Sequence, residues 1–174
     1  MGISNVPTAA GITTGWEKIA EAAPTGNVTT VTFTGLDINT DKAYMIVWAV
    51  VDASGGPSRI DLLINNMTLA TSYYSQYFGA ANATVGAGRE NNAGVIAVAA
   101  LNDAAGRTLL QLPPSGFPAA VTNQLKDSGT LTAQYGYGMT LASTVSNITR
   151  LDFTHNGANG IKAGSRFTLF RVKS

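Results

Sequence analysis

Short strand-like segments are the feature that most limits what this chain can fold into. From Val28 onward, runs of β-branched, aliphatic and aromatic residues alternate with clusters of Gly, Pro and Asn, and no long stretch has helical periodicity. The segments that predict strands are VTTVTFTGL (28–36), YMIVWAVVD (44–52), RIDLLIN (59–65), YYSQYF (73–78), VIAVAAL (95–101), RTLLQL (107–112), TLTAQYGYGM (130–139), NITRLDF (147–153) and SRFTLFRV (165–172). About eight to ten short strands of this kind predict an all-β fold, an antiparallel β-sandwich that is jelly-roll-like.

The connections between these segments carry predictions of their own. SGGP (54–57) separates two apolar segments and predicts a hairpin between them. The three prolines of PPSGFPAA (113–120) predict irregular structure, because proline cannot donate to a ladder. Residues 79–94, GAANATVGAGRENNAG, are small and polar and predict a long loop. GWEKIAEAA (15–23) fits either one amphipathic helical turn or a first strand.

The length of 174 residues suits one domain with its own core. We expect a flexible N-terminal arm over residues 1–15 and a single β-sandwich domain over residues 16–174. The arm lacks the basic and apolar regions of a signal peptide, and the longest apolar run, residues 43–51, is too short to span a bilayer. We therefore expect no membrane partner.

The charge of the chain is low and evenly spread. Eleven Lys and Arg residues against ten Asp and Glu give a net charge of +1 without runs of one sign, so no nucleic-acid partner is expected. Charged residues make up 12% of the chain, which is half of the roughly 25% typical of soluble domains. A surface this neutral favours contact with identical subunits or with sugars. The absence of cysteine excludes disulfides and thiolate metal sites.

Catalytic motifs are missing from the sequence. VGAGREN (85–91) lacks the third glycine of a nucleotide fingerprint, and the chain contains neither a P-loop nor a GxSxG elbow, so no cofactor is predicted. His155 is the only histidine, and any serine triad would have to use it. The Asn-Gly pairs at 156–157 and 159–160 favour a hairpin turn between the last two strands, with His155 exposed where the first of them ends. These features predict a protein that is not an enzyme and has no catalytic residues.

One group of oxygen side chains has the spacing of a calcium loop. Asp37, Asn39 and Asp41 lie at alternate positions, as at the start of an EF-hand. Lys42 occupies the position of the required glycine, and Trp48 occupies that of the bidentate glutamate. The pattern favours an Asx-rich turn, with a calcium site as the alternative.

Four tyrosines lie in pairs on predicted strands. Tyr73 shares a strand face with Tyr77, and Tyr135 shares one with Tyr137. On an exposed face they would form stacking platforms for sugar rings or part of a protein interface. Packing in the core or between strands is the simpler explanation.

Several segments together resemble bacteriophage and prophage virion structural proteins. The similar segments are TGWEKIAEA, VTTVTFTGLD, KAYMIVWAV, RIDLLINN with YYSQYF as a following hairpin, and the closing NITRLDF…GIKAGSRFTLFRV. They cover both ends and about half of the chain, and residues 79–140 have no counterpart in the resemblance.

The resemblance implies a jelly-roll-like sandwich in a capsid, decoration, fibre or tail-tip protein located in the virion. Its partners would be identical subunits, with a trimer as the first expectation, and other virion proteins. It transfers no catalytic residue. The alternative is a carbohydrate-binding module or receptor-binding tip that holds a host-surface glycan with the four tyrosines, and an enzyme is the third hypothesis.

Overall fold

In a computed structural model, the protein is described over residues 15–52, 57–67, 72–81, 84–91, 95–100, 103–127 and 132–172. These residues form twelve strands and one helical turn, α1 (Ile38–Asp41). The strands are β1 (Trp16–Ala22), β2 (Thr30–Thr34), β3 (Ala43–Val50), β4 (Pro57–Ile64), β5 (Tyr73–Ala81), β6 (Thr84–Asn91), β7 (Val95–Ala100), β8 (Ala104–Gln111), β9 (Ala119–Asp127), β10 (Thr132–Leu141), β11 (Arg150–His155) and β12 (Arg166–Val172). The helical turn is far too short to cross a membrane, and no longer helix occurs in the described ranges.

The strands form two antiparallel sheets, which confirms the predicted all-β sandwich. The large sheet has the order β1-β12-β3-β8-β9-β10-β5-β6, and the small sheet has the order β2-β11-β4-β7. Without β1, β8, β9 and β12, eight strands remain. Their orders, first-eighth-third-sixth and second-seventh-fourth-fifth, are those of a jelly roll. The hairpin β8–β9 is inserted between β3 and β10, and β1 and β12 extend the large sheet beyond β3.

The core lies between the small sheet and the inner face of the large one. Phe153 on β11 packs edge-on against Phe33 on β2, with ring centroids 6.1 Å apart. It also contacts Phe167 on β12 across the sandwich, at 5.1 Å. The largest fully buried side chains are Tyr44, Tyr73, Phe153, Phe167, Ile46, Ile60, Leu62, Ile64, Leu110, Leu141 and Ile148.

Alternation along the strands sets which side chains enter this core. Val31 and Phe33 are buried on β2, and Ile60, Leu62 and Ile64 are buried on β4, as their spacing predicts. Strand β3 is central, but it is not buried on both faces as its apolar sequence suggests. Its inner residues are buried, whereas Val47 and Ala49 face outward and are exposed.

All three expected hairpins are wrong. The pair RIDLLINN and YYSQYF that the resemblance implies is divided between the sheets, with β4 in the small one and β5 in the large one. β3 belongs to the large sheet and β4 to the small one, so these two strands do not pair with each other. The connection from β11 to β12, residues 156–165, crosses from the small sheet to the large one. Turn dipeptides indicate where a strand ends, but the side chains of consecutive strands here all point into one core shared by two sheets. Sequence spacing alone therefore does not show which sheet the next strand joins.

Residues 79–94 are not one long loop. Strand β5 continues to Ala81, and β6 pairs with it from Tyr74↔Asn91 to Ala81↔Thr84. β6 is an edge strand with little to bury, since Val85 is 79% exposed. Gly88 also has a packing role, because a Cβ there would lie 2.6 Å from the Tyr77 ring. A solvated edge strand with glycines has the composition of a loop.

Three further segments show where the structure chooses between or departs from the sequence-based predictions. GWEKIAEAA adopts the strand alternative as β1, paired with β12. The predicted irregular segment 113–120 ends in strand β9, which begins at Ala119 and was not predicted. The turn DINTDK contains α1 instead of a simple turn, because Asp37 caps a helical turn. Residues 1–14 of the predicted arm lie outside the described residues.

Candidate functional site

The outer face of the large sheet is the main surface that the core does not cover. The register brings outward residues of neighbouring strands side by side. Met45 pairs with Leu109, and Leu109 pairs in turn with Val121. Val47 pairs with Arg107 in the adjacent row. These positions alternate with the buried ones, so the central strands present a continuous outer row of mostly apolar side chains.

The exposed apolar side chains are concentrated on this face. Phe78 is 66% exposed, and Val121 and Leu125 are each 57% exposed. Trp16, Val47, Tyr74 and Val85 add to the same surface. We call this set the outer apolar face.

Charge is scarce across the outer apolar face. In the sequences of β3, β8, β10 and β5, Arg107 is the only charged residue. Strand β9 carries charge only at its last two positions, Lys126 and Asp127. The flanking strands do carry charge, including Lys18 on β1, Arg166 on β12 and Arg89 on β6. The exposed patch is therefore apolar and nearly uncharged over its five central strands, which is typical of an interaction surface.

The outer face of the small sheet is polar by contrast. Asp152 on β11 accepts hydrogen bonds from Thr32 Oγ1 at 2.6 Å and from Arg150 Nη2 at 2.8 Å. Asp61 on β4 pairs with Arg59 Nε at 3.0 Å. The two faces of the sandwich thus differ in chemistry, and only one of them has the character of a buried interface.

A shallow trough crosses the outer apolar face where β10 carries two glycines. Gly136 and Gly138 form its floor, and Gln76, Phe78, Val121 and Asn123 contribute to its walls. The Phe78 ring lies directly over Gly136, since a Cβ there would be 2.5 Å from two ring atoms. The Phe78 side chain nevertheless remains 66% exposed.

The four tyrosines proposed as stacking platforms are not a common exposed surface. Tyr73 is fully buried, and its hydroxyl accepts a hydrogen bond from the Ile64 amide at 2.7 Å. Burial raises the pKa of Tyr73 to about 12. Tyr137 is also buried, 6.1 Å from the ring of the half-buried Tyr77. The Tyr135 side chain lies outside what the structure describes.

The residues proposed for calcium belong to three separate hydrogen-bond arrangements. Asp37 caps α1 by accepting from the Asn39 amide at 3.2 Å and from Thr40 Oγ1 at 2.8 Å. Asn39 Nδ2 donates to the Ser146 carbonyl at 2.9 Å. Asp41 is buried and accepts from Tyr44 Oη at 2.6 Å and Arg171 Nη1 at 3.1 Å.

These bonds engage the carboxylates of Asp37 and Asp41, and they hold Asn39 through its Nδ2. Burial, together with the hydrogen bond and charge of Asp41, raises the pKa of Tyr44. In the part of the chain that the structure describes, no group of three or more His, Asp and Glu side chains could hold a metal.

The prediction that His155 is exposed is wrong. Its side chain is 0% exposed, and Nε2 lies 3.4 Å from Oδ1 of Asp52, whose side chain is also 0% exposed. The Asn-Gly loop folds back over the ring, so that Gly157 N–H donates to Nδ1 at 2.8 Å. The pair has the elements of an acid–base site, but its burial keeps any external substrate away from it.

No protein-family model matches the chain, and neither a curated protein sequence nor a solved structure matches it either. What the protein does must therefore be inferred from its surfaces and from the motifs of its sequence.

The residues that define the outer apolar face were not singled out by sequence. Phe78, Val121 and Leu125 lie on strands whose alternation is visible, but alternation does not say which face is covered by the second sheet. For β9 even the strand was missed, because the prolines before it indicated irregular structure. A signal that could have found this face is the lack of charge in four neighbouring strands.

Proposed function

We propose that the protein is a non-enzymatic structural subunit of a virion, of the bacteriophage kind, that assembles with copies of itself. The observation that carries this proposal is the outer apolar face of the large sheet. The sequence motifs that resemble virion proteins and the jelly-roll strand order support the viral assignment. The burial of the only histidine supports a role without turnover.

The size of the face fits a stable protein interface. Strands about 4.8 Å apart and about 3.4 Å per residue give eight strands of eight residues an area of roughly 1,000 Å², of which the five central strands supply roughly 650 Å². A standard interface buries about 800 Å² on each partner. One copy of the protein could therefore cover most of the face.

A second copy is the occupant that the charges favour. The face presents Arg107 as its central charge, so a strongly acidic or basic partner would find little to pair with. An identical face is equally apolar and neutral, and apolar contact between two such faces removes both from water. Contact between the same face on two copies closes as a two-fold dimer. The trimer that the resemblance implies would instead need a second patch of each copy to meet this face.

The test is to measure the native mass of the unmodified protein and of two variants. Each variant places a charge on the outer face of one of the two sheets. Val121→Glu puts a carboxylate on the outer apolar face, diagonal to Arg107. Thr34→Glu is the matched control on the small sheet, where Thr34 is exposed and pairs with Arg150. We expect an oligomer for the unmodified protein and for Thr34→Glu, and a folded monomer for Val121→Glu.

A stable monomer of the unmodified protein at micromolar concentration would contradict the proposal, as would equal dissociation of both variants. Circular dichroism and thermal unfolding show whether each variant is folded. Negative-stain electron microscopy of the concentrated protein tests the virion role, because a structural subunit should form rings, shells or fibres.

The trough supports a second candidate function, the binding of a glycan. A flat aromatic ring with one open face stacks on the C–H face of a sugar, and carboxamides bind its hydroxyls. Phe78, Gln76 and Asn123 supply these groups in the trough. Binding on a glycan array that is lost in Phe78→Ala and kept in Val85→Ala would favour this function. Absence of binding by the unmodified protein would remove it.

A further inference from the structure

At the start of the crossover from β11 to β12, a side-chain oxygen takes the place of a backbone carbonyl as hydrogen-bond acceptor. The Asn156 amide donates to the Arg59 carbonyl at 3.1 Å, which continues the pairing of β11 with β4 by one residue. The return bond, from the Arg59 amide at 2.9 Å, goes to Oδ1 of the Asn156 side chain. The carboxamide oxygen of Asn156 thus accepts the bond that a backbone carbonyl would accept in a continued strand, and the main chain leaves the small sheet.

That turn places the next amide against the only histidine. Gly157 N–H donates to His155 Nδ1 at 2.8 Å. The Gly157 carbonyl oxygen also lies 3.0 Å from Nδ1. The acceptor role of Nδ1 therefore belongs to the tautomer that carries its proton on Nε2, on the side of Asp52 Oδ1, 3.4 Å away. Gly160 fixes the ring from another side, because a Cβ on Gly160 would lie 2.0 Å from Nδ1.

These contacts arrange the parts of an acyl-transfer site around one peptide. Asp52 Oδ1 lies 3.4 Å from Nε2 of His155, and Nδ1 of the same ring is within reach of the Gly157 amide proton. The neighbouring carboxamide carbon is an electrophile. Its oxygen accepts from the Arg59 amide in the way that an oxyanion hole binds a developing charge. The nucleophile, base and oxyanion donor all belong to the chain itself, so burial of His155 does not prevent the reaction.

We propose that Asn156 is a site of self-catalysed deamidation through a succinimide. His155 Nδ1 accepts the Gly157 amide proton, and the Gly157 nitrogen attacks Cγ of Asn156 to form a C–N bond. The bond from Cγ to Nδ2 then breaks, and the proton on Nδ1 leaves with the amine as ammonia. Water opens the five-membered imide to aspartate or isoaspartate, and exposure of Asn156 gives water access.

The proposed reaction is a single event in each molecule and goes beyond the assembly function. It would add a negative charge beside the buried Asp52–His155 pair. Where isoaspartate forms, it would also add one carbon to the main chain at the point where β11 leaves the small sheet.

The chain contains its own control, since Asn159–Gly160 is a second Asn-Gly pair in the same loop. Asn159 is exposed, and its amide donates to Thr29 Oγ1 at 2.9 Å. Purified protein is incubated at neutral pH, folded and in denaturant, and peptide mapping by mass spectrometry follows conversion of each asparagine. Enzymatic methylation detects isoaspartate.

In the folded protein we expect Asn156 to convert at least about ten-fold faster than Asn159. This factor is smaller than the roughly 100-fold or greater acceleration that a positioned general base typically gives. In denaturant the two rates should become similar, because both sites are then plain Asn-Gly peptides. An Asn156 rate in the folded protein that is no faster than that of Asn159, or that rises on unfolding, would overturn the proposal.

His155→Gln is the second measurement, since its amide oxygen can accept from Gly157 N–H without acting as a base. If this variant folds, the Asn156 rate should fall to that of Asn159. Retention of the fast rate in a folded His155→Gln variant would refute the role of the imidazole. If the His155→Gln variant does not fold, the comparison of the Asn156 and Asn159 rates in the unmodified chain still tests the proposal.

Discussion

Replacing Gly160 by alanine should destabilise the end of the sandwich more than any other change of a single methyl group in this loop. The new Cβ would lie 2.0 Å from Nδ1, 2.2 Å from Cε1 and 2.3 Å from Cγ of His155. Unstrained heavy-atom contacts are about 3.5–4.0 Å, so the overlap exceeds about 1 Å. The φ of Gly160 is outside the left-handed region, and the cost is therefore one of packing.

The imidazole has little room to retreat. It is fully buried, Asp52 lies 3.4 Å from Nε2, and a Cβ on Gly157 would already be 3.3 Å from the ring. Overpacking a core costs about 1–3 kcal/mol, and losing the hydrogen bond from Gly157 leaves a buried donor at about 1–3 kcal/mol. We expect a decrease of about 3 kcal/mol in the free energy of unfolding, equal to about 6–12 °C in Tm for a chain of this length.

Urea unfolding followed by circular dichroism measures the effect, and Gly26→Ala is the control. Gly26 is exposed, and no atom lies within 4 Å of the position that an added Cβ would take. Alanine there should therefore change stability by less than about 1 kcal/mol. Removing the ring should remove the clash, so Gly160→Ala should cost much less in a His155→Ala background. Equal costs with and without the ring, or equal stability of Gly160→Ala and Gly26→Ala, would refute the reasoning.

Three further predictions concern the rest of the sandwich. Gly106→Ala should cost about 1–3 kcal/mol, because its Cβ would lie 2.4 Å from the Trp48 ring, and tryptophan fluorescence should shift. Asp37→Ala should cost about 1 kcal/mol in thermal unfolding by removing the cap of α1, and added calcium should leave the Tm unchanged. The free energy of unfolding should not depend on tyrosine ionisation below pH 10.0, and it should fall as the pH rises towards 12. The reason is that Tyr73 loses its proton near pH 10.0 in the unfolded chain but has a pKa of about 12 in the folded one. Absorbance of tyrosinate during alkaline titration follows this change, and release of all tyrosine protons near pH 10.0 in the folded protein would contradict it.

The strands with strong alternation were predictable from the sequence, and the sheets to which they belong were not. Val31 and Phe33 indicate β2, and the alternate residues of β4 enter the core as expected. The strands β6 and β9 were missed because their stability comes from pairing with neighbours and not from their own apolar content. β6 has Gly88 where the ring of Tyr77 needs space, and β9 follows three prolines.

The candidate site depended even more on long-range contacts. His155 follows a strand and precedes two turn dipeptides, a local pattern that favours exposure. Its burial results from Asp52, which is more than one hundred positions earlier, and from a loop that folds back through Gly157 and Gly160. The outer apolar face likewise exists only because strands β3, β8, β9, β10 and β5 lie side by side.

Strand β1 has a consequence for how copies of the protein can meet. It lies at one edge of the large sheet, where unpaired backbone groups could accept a strand from another molecule. β1 carries Glu17, Lys18 and Glu21 and has an irregular register between Lys18 and Ala20, two features that discourage such addition. Continuous growth of the sheet into fibrils is thereby hindered at this edge. In the proposed assembly, association would instead use the broad face, where it can stop at a closed number of subunits.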